Sequence, residues 1–286
     1  MNISIITVTW NSAKLIGEQI ESVKTGCRNI SFEQLVVDNG STDDTVKIVK
    51  EKYPWVKLIH NQQNIGFGAA NNMAAKMSNG EFLLFLNPDM RVSPESLDTM
   101  VEWMRSHHNV GLASCRLVDE NGILNADAQP RRFPGLFDQL AIILKLPHLF
   151  PSILDHYMFK GFDADKEQEV DSVRGSFMIM RREVFEKLGW AFDPRYFIWF
   201  EDVDTCREVQ RLGYKVVHTP IISCIDYIGQ SFKQRTTLWK QKNFTKSMLQ
   251  YFQKWEPWYK WIWIAIFRPI GIATAWVNDT INKITR

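Results

Sequence analysis

The chain has 286 residues, 45% of them apolar and 23% charged, proportions that set aside fibrous and disordered classes and leave an ordinary globular protein able to bury a large core. Thirty-four basic residues against 32 acidic ones give a net charge of +2, which carries no general signal for nucleic acid, and no nucleic-acid partner is expected. Cys27, Cys115, Cys206 and Cys224 are scattered, without a CxxC pair or a zinc spacing, so lone buried thiols in a reducing compartment are expected.

The opening "MNISIITVTWNSAK" has no basic leader, and its apolar run is broken by polar residues, so it reads as a first strand (3–10) and not a signal peptide. A helix over 12–25 follows, then a second strand, "FEQLVVDNG" (32–40). "STDDTVKIVKEKY" (41–53) reads as a helix opened by a capping box of Ser41 and Asp44. A third strand (56–61), a small-residue helix (66–78), a fourth strand "EFLLFL" (81–86) and a helix over 94–106 complete the alternation. Short strands that are almost continuously apolar predict a mostly parallel α/β sheet covered by helices on both faces. In such sheets ligands bind beyond the carboxyl ends of the strands. Here those ends are polar: Thr9 to Asn11; Asp38 and Asn39; Asn61; Asn87 to Asp89.

The middle of the chain is less regular. A hairpin is expected around Asn121-Gly122, a short apolar helix within 130–151, a strand and helix over 170–189, a helix over 200–214 and a strand over 215–220. A single globular unit is expected over 1–231, followed by a C-terminal helical appendage over 232–286.

Several residues offer chemistry. Asp38 at a strand end can accept the imide N–H of a uracil or thymine ring, or close an Asx turn in "DNG". Gly66 and Gly68, after Asn64 in "NIGFG", allow close backbone approach at a helix start, or tight packing on the sheet. Asp89 in "FLNPDM" is a hard oxygen ligand of the kind that anchors Mg²⁺ or Mn²⁺ on a diphosphate. Glu201, Asp202 and Asp204 open a helix behind Tyr196, Phe197, Trp199 and Phe200. Acids in a first helical turn stabilise the dipole, but apolar surroundings and like charges also raise a carboxyl pKa in the way a general base requires.

In order along the chain, "TVTWN", "VVDNGSTDDT", "NIGFGAANN", "FLNPDM", "VRGSFMIMRREVF" and "FDPRYFIWFEDVDTCREVQRLGY" resemble a family 2 inverting glycosyltransferase of the GT-A fold, in its rhamnosyltransferase-like branch. The resemblance spans about Ile3 to Ser231 and implies a nucleotide-sugar half over about 1–115 and an acceptor half over 116–231. It implies transfer of a sugar from a nucleotide diphosphate with Mg²⁺ or Mn²⁺ as cofactor, and dTDP-rhamnose as the first donor to consider. By the same resemblance Thr7, Thr9, Asn11, Asp38, Asn64, Gly66, Gly68, Asn87 and Asp89 belong to the donor site, and Asp89 to the metal. Asp202, beside Glu201, is the base, and Gly175, Ser176 and Trp199 line the acceptor side. Asn87 departs from the usual first acid of the family's Asp-x-Asp. Ahead of "GQSF" (229–232), Asp226 stands where a metal-binding His is common; either Asp226 is a ligand, or His218 or water completes the shell.

The tail "WEPWYKWIWIAIFRPIGIATAWV" (255–277) holds five of the eleven tryptophans, and Lys260, Arg268 and Pro269 interrupt it. That pattern suits a helix lying on a membrane surface better than one crossing it, the alternatives being packing on the core or a dimer contact. It points to a cytoplasmic enzyme held on the inner face of a membrane, acting on a glycan carried by a polyprenyl diphosphate. A nucleotidyltransferase would carry a glycine-rich basic loop after the first strand, which "TWNSAKLIG" lacks. An inactive nucleotide- or glycan-binding protein is the remaining alternative.

Overall fold

The computed structural model describes residues 1–227 and 235–284; "GQSF" and the expected boundary at residue 231 lie outside the described residues. Strands β1 (Ile3–Thr9), β2 (Phe32–Asn39), β3 (Lys57–Asn61) and β4 (Phe82–Leu86) form a parallel block in the order β3-β2-β1-β4. Alternation along them feeds two cores. Ile3, Ile5, Leu84 and Leu86 pack with Val23 of α1 (Ile16–Gly26) and with Leu97 and Val101 of α4 (Ser96–Ser106). Ile6, Leu35, Val37, Leu83 and Phe85 pack with Ala70 and Ala74 of α3 (Phe67–Met77) on the other face. Burial on both faces explains the nearly unbroken apolar runs. The register aligns Thr9 with Asp38 and Asp38 with His60, so the polar strand ends share one edge.

The capping box is not formed. Helix α2 (Thr45–Lys52) starts after Asp44, which makes no side-chain cap. The Ser41 hydroxyl instead accepts the Asn11 N–H at 2.8 Å, and Asp43 accepts those of Ala13 and Thr45. These residues tie the loop after β2 to the loop after β1, because a bond between two strand-end loops was available to them.

The second half adds β5 (Met90–Val92), β6 (Val110–Val118), β7 (Gln168–Glu169), β8 (Phe177–Arg181) and β9 (Lys215–Asp226). Here the sheet is mixed: β8 runs antiparallel to β4 and β6, β6 and β9 are parallel, and β5 and β7 pair antiparallel with β9. The strand expected at 215–220 continues to Asp226. Pro220 cannot donate to a ladder, and the register against β6 slips there, between Cys115 and Arg116. The hairpin at Asn121-Gly122 is present, closed by Asp119 N–H to the Ile123 carbonyl at 2.8 Å, with Gly122 at φ 77°. All four cysteines are buried and unpaired.

Helices α5 (Leu136–Ile143), α6 (Arg182–Leu188) and α7 (Glu201–Arg211) precede two long ones, α8 (Thr237–Trp255) and α9 (Trp258–Ile284). Ile143, Tyr196, Phe200, Met248, Tyr251, Phe252 and Ile264 form a third core that joins α8 and α9 to α5 and to the start of α7. Gly271 of α9 makes this approach possible, since a Cβ there would lie 2.8 Å from the Gln241 amide and 3.1 Å from Ile143. Asp279 near the end of α9 accepts the first N–H groups of α8, at 3.2 and 2.8 Å. The outer side of α9 exposes Tyr259, Trp263, Ile266, Ile270, Val277 and Ile281 at helical spacing. Among the described residues no helix is long and apolar enough to cross a membrane.

Candidate active site

A cleft of about 450 Å³ opens beyond the carboxyl ends of the parallel strands. Thr9, Trp10 and Asn39 line it from β1 and β2, and Asn64 and Phe67 from the approach to α3. Asn87, Pro88 and Asp89 follow β4; Gly175 and Ser176 precede β8; Trp199, Glu201 and Asp202 come from the entrance to α7. A second hollow of about 550 Å³ lies between α8 and α9, lined by Leu238, Lys242, Ala265, Arg268, Ile272 and Trp276; it contains no acid and is remote from this chemistry.

At the end of β4, Asn87 donates its N–H to the Ser176 carbonyl at 3.0 Å, and the chain turns into β5. Because β5 pairs with β9, Met90 opposes Asp226, and the Tyr227 N–H reaches the Asp89 carbonyl at 3.1 Å. Asp89 and Asp226 are both buried and line the same cleft, and the Asn125 amide reaches Asp226 at 3.5 Å. Two carboxylates on a rigid strand pair fit a hard divalent cation that takes its remaining oxygens from a diphosphate or water. Among the described residues no group of three His, Cys, Asp or Glu converges. His218 lies eight residues back along β9, its Nε2 3.0 Å from the Ala164 carbonyl oxygen and its ring packed edge-on to Phe162, so it does not reach the cleft.

The three acids of α7 have three different environments. Asp204 is fully buried and receives Lys254 at 2.7 Å, the Trp255 indole at 2.6 Å and the Tyr196 hydroxyl at 3.2 Å, a structural assembly. Glu201 is buried with its Oε2 unpartnered; burial, and then the neighbouring Asp202, push its carboxyl well above the usual range, toward the neutral form. Asp202 is only partly buried, faces the cleft, and accepts the N–H groups of Gly175 at 3.1 Å and Val203 at 2.8 Å. Trp199 and Phe200, immediately before the acids, both take positive φ (64° and 68°). Two successive bulky residues in that region cost free energy, which Trp199 and Phe200 recover by packing on Trp239, Phe244 and Tyr251.

The donor-half residues divide. Thr9, Asn64, Asn87 and Asp89 line the cleft, as do Gly175, Ser176, Trp199 and Asp226 elsewhere. Thr7 is buried and accepts the Gln19 amide at 3.0 Å, and Gly68 packs against Phe192; both sit behind the cleft wall. Asn11, at φ 50°, accepts the Thr42 N–H at 2.8 Å and holds the loop after β2. Asp38 is fully buried, with Thr9, the Ser41 N–H and His60 on its carboxylate. Gly66, at φ 96°, is required, since a Cβ would meet the Phe197 carbonyl at 2.8 Å.

Sequence reasoning missed Trp10, Arg235 and Trp239 at the mouth, where the Arg235 guanidinium sits 3.8 Å from the Trp10 ring centre and 4.7 Å from that of Trp239. Arg235 stands in the sequence among Lys233, Lys240, Lys242 and Lys246, with nothing to mark it out from them. Asn125, Asp127 and Arg174 were missed as well. Arg174 stood inside the motif "VRGSF", where its neighbours drew the reading.

Known proteins resemble this chain in sequence and in fold. The chain is 27% identical over 209 residues to an N-acetylglucosaminyl-diphospho-decaprenol L-rhamnosyltransferase of Mycobacterium tuberculosis, covering 69% of this chain and 67% of that one. It is 24% identical over 260 residues to an uncharacterized protein, y4gI, of Sinorhizobium fredii, covering 89% of this chain but spanning only 27% of that relative's length. A solved mannosyltransferase of Pyrobaculum calidifontis, in complex with GDP-Man and Mn²⁺, shares the fold at a TM-score of 0.59 and 18% identity, over 96% of this chain and 73% of that one. The fold is the expected GT-A-type α/β fold. Residues 4–189 match the family described as Glycosyl transferase family 2, and the chain belongs to that family.

Proposed function

We propose that this chain moves a sugar from a nucleoside diphosphate to a hydroxyl of a lipid-linked glycan, with inversion at the transferred carbon, and that rhamnose from dTDP-rhamnose is the first donor to test. The observation that carries the reading is the contrast within one cleft. A solvated carboxylate, Asp202, stands beside a buried and starved one, Glu201, while Asp89 and Asp226 gather on a separate strand pair. The mycobacterial relative's name supports both the sugar and the lipid-linked acceptor.

Asp202 is held by the Gly175 and Val203 N–H groups, which fix its orientation while leaving lone pairs for an acceptor O–H. Inversion in one displacement needs one base, and Asp202, which faces the cleft while Glu201 is buried, is placed for that role. Asp89 and Asp226 would hold a Mg²⁺ or Mn²⁺ ion, which when bound neutralises charge on the departing diphosphate. Trp199, Trp239 and Phe197 wall the acceptor side and exclude water, the competing nucleophile. Asp38 would receive the base only by adding a fourth partner to its carboxylate, which has room for about four hydrogen bonds.

The outer face of α9 supports a seat on an anionic membrane surface. Its exposed aromatic and aliphatic stripe is bordered by Lys260, the arrangement of an interfacial helix, while Arg268 turns inward to donate to the Thr245 hydroxyl of α8 at 3.2 Å. The functional test is a binding screen of dTDP-, UDP- and GDP-sugars with Mn²⁺, followed by assay of released nucleoside diphosphate with a lipid-linked acceptor. Saturable binding of one donor and acceptor-dependent release are expected. Binding without release under every acceptor would leave a nucleotide-binding protein and end the enzymatic reading.

A further inference from the structure

Two arginines beside the base form no ion pair among the described residues, although the charges of Asp202 and Asp127 act on Arg174 and the Arg131 guanidinium lies 5.6 Å from the Tyr157 ring centre. Backbone bonds between Arg131 and Ser172, both 3.1 Å, lay the segment at 131 alongside the loop that carries Arg174. The two guanidinium groups converge on one acceptor, the Asp127 carbonyl oxygen. They are close enough for the Arg131 charge, after burial, to lower the basicity of Arg174. Ion pairs nearby join Arg116 to Asp165 and Arg132 to Asp171, and among the described residues none reaches Arg131 or Arg174. The Nε–H of each arginine is buried without a hydrogen-bond acceptor. Two like charges held together, each with an orphaned donor, are costly unless an anion joins them. The fork geometry of guanidinium matches phosphate oxygens.

The pair borders the acceptor end of the cleft. Arg174 lines it and immediately precedes Gly175, whose N–H binds Asp202. We propose that Arg131 and Arg174 form a phosphate-binding step that grips the phosphate joining the acceptor sugar to its lipid, and so set the distance from that phosphate to the hydroxyl presented to Asp202. The inference rests on the transferase reading above and specifies its acceptor: a sugar phosphodiester or diphosphate in place of a neutral glycoside.

The test uses the full chain saturated with the nucleoside diphosphate chosen by the donor screen and Mn²⁺, so that the donor's own phosphate site is filled. Geranyl diphosphate and geraniol are then titrated by calorimetry. Geranyl diphosphate is expected to bind to the nucleotide-saturated chain and geraniol not to, with Arg174→Gln and Arg131→Gln each weakening that binding about tenfold or more, the loss of a charge-assisted hydrogen bond. Arg174→Lys should recover part of it, and nucleotide affinity should be unchanged in all three. Geranyl diphosphate binding that vanishes once nucleotide is saturating would assign the arginines to the donor's phosphates and overturn the proposal. So would unchanged affinity in both Gln variants with native melting curves. Failure to bind any nucleotide sugar would refute the transferase reading separately, since the geranyl diphosphate titration can also be run without nucleotide.

Discussion

Lys254 is a largely buried cation shared by three carboxylates. Its ammonium, on a side chain only 13% exposed, lies 3.0 Å from Asp193, 2.7 Å from Asp204 and 2.8 Å from Glu208. Lys254→Met keeps the length and apolar stem but leaves three buried carboxylates facing one another. Removing one partner of a buried ion pair costs about 3–5 kcal/mol. At about 2–4 °C per kcal/mol for a chain of this class, the melting temperature should fall by roughly 6–20 °C. The pH dependence follows from the partners. Burial raises Asp193, but the Arg195 N–H and Lys254 outweigh it and hold the carboxyl below its usual range; at Asp204 burial prevails and the carboxyl is raised despite Lys254. Without Lys254 both folded-state values rise. A folded pKa above the unfolded one makes stability fall as pH rises, so the variant's deficit should be widest near neutral pH and narrow as pH drops toward 4. Differential scanning calorimetry between pH 4.5 and 8 reads this directly, and Lys254→Met with Asp204→Asn should recover part of the loss. A melting temperature unchanged by Lys254→Met, or a deficit independent of pH, would show that this cluster does not pin α8 and α9 to the core.

Glu201→Gln preserves the shape of a side chain whose carboxyl burial and then Asp202 push toward the neutral form, so turnover should be largely retained. In the wild-type chain stability should decline as pH rises through the raised pKa of Glu201, whereas the Gln variant should lack that decline in a melting series. Asp89→Asn and Asp226→Asn should each weaken Mn²⁺-dependent donor binding, with little change in binding measured without metal; an unaltered metal response in either would remove it from the cation site. Trp263→Glu, Ile266→Glu and Ile270→Glu together change only exposed positions of α9, and the variant should no longer sediment with anionic vesicles while keeping its melting temperature. Continued sedimentation would exclude that face as the membrane contact. Truncation after Gln253 is a poor substitute, because it removes Lys254 and Trp255 from Asp204.

The parallel half was legible because local pattern and tertiary role coincide there. Strands β1, β2 and β4 are mostly apolar and buried, all four parallel strands end in or lead directly into polar residues, and their register brings Thr9, Asp38 and Asn39 to one edge. The two short partners of β9 were harder: β5, three residues after a proline turn, and β7, two residues, form strands only because β9 supplies the ladder. Strand β9 hid its length behind Pro220 and a register slip. Among the site residues, acids at strand ends and helix starts stood out by position. The division of labour within Glu201-Asp202-Asp204 did not, since it depends on Lys254 and Trp255 some fifty residues away. Arg131 and Arg174 were equally hidden, their meeting fixed by a pair of backbone bonds across 41 residues.

The role of Asp202 is tested most directly by Asp202→Asn, with transfer and donor binding measured on the same preparation. A general base contributes about 10²–10⁴-fold to rate, so acceptor-dependent release of nucleoside diphosphate should fall by at least two orders of magnitude while the donor binds as tightly as before. Transfer at near wild-type rate in that variant, or loss of donor affinity in place of turnover, would contradict the assignment of Asp202 as the group that takes the acceptor's proton.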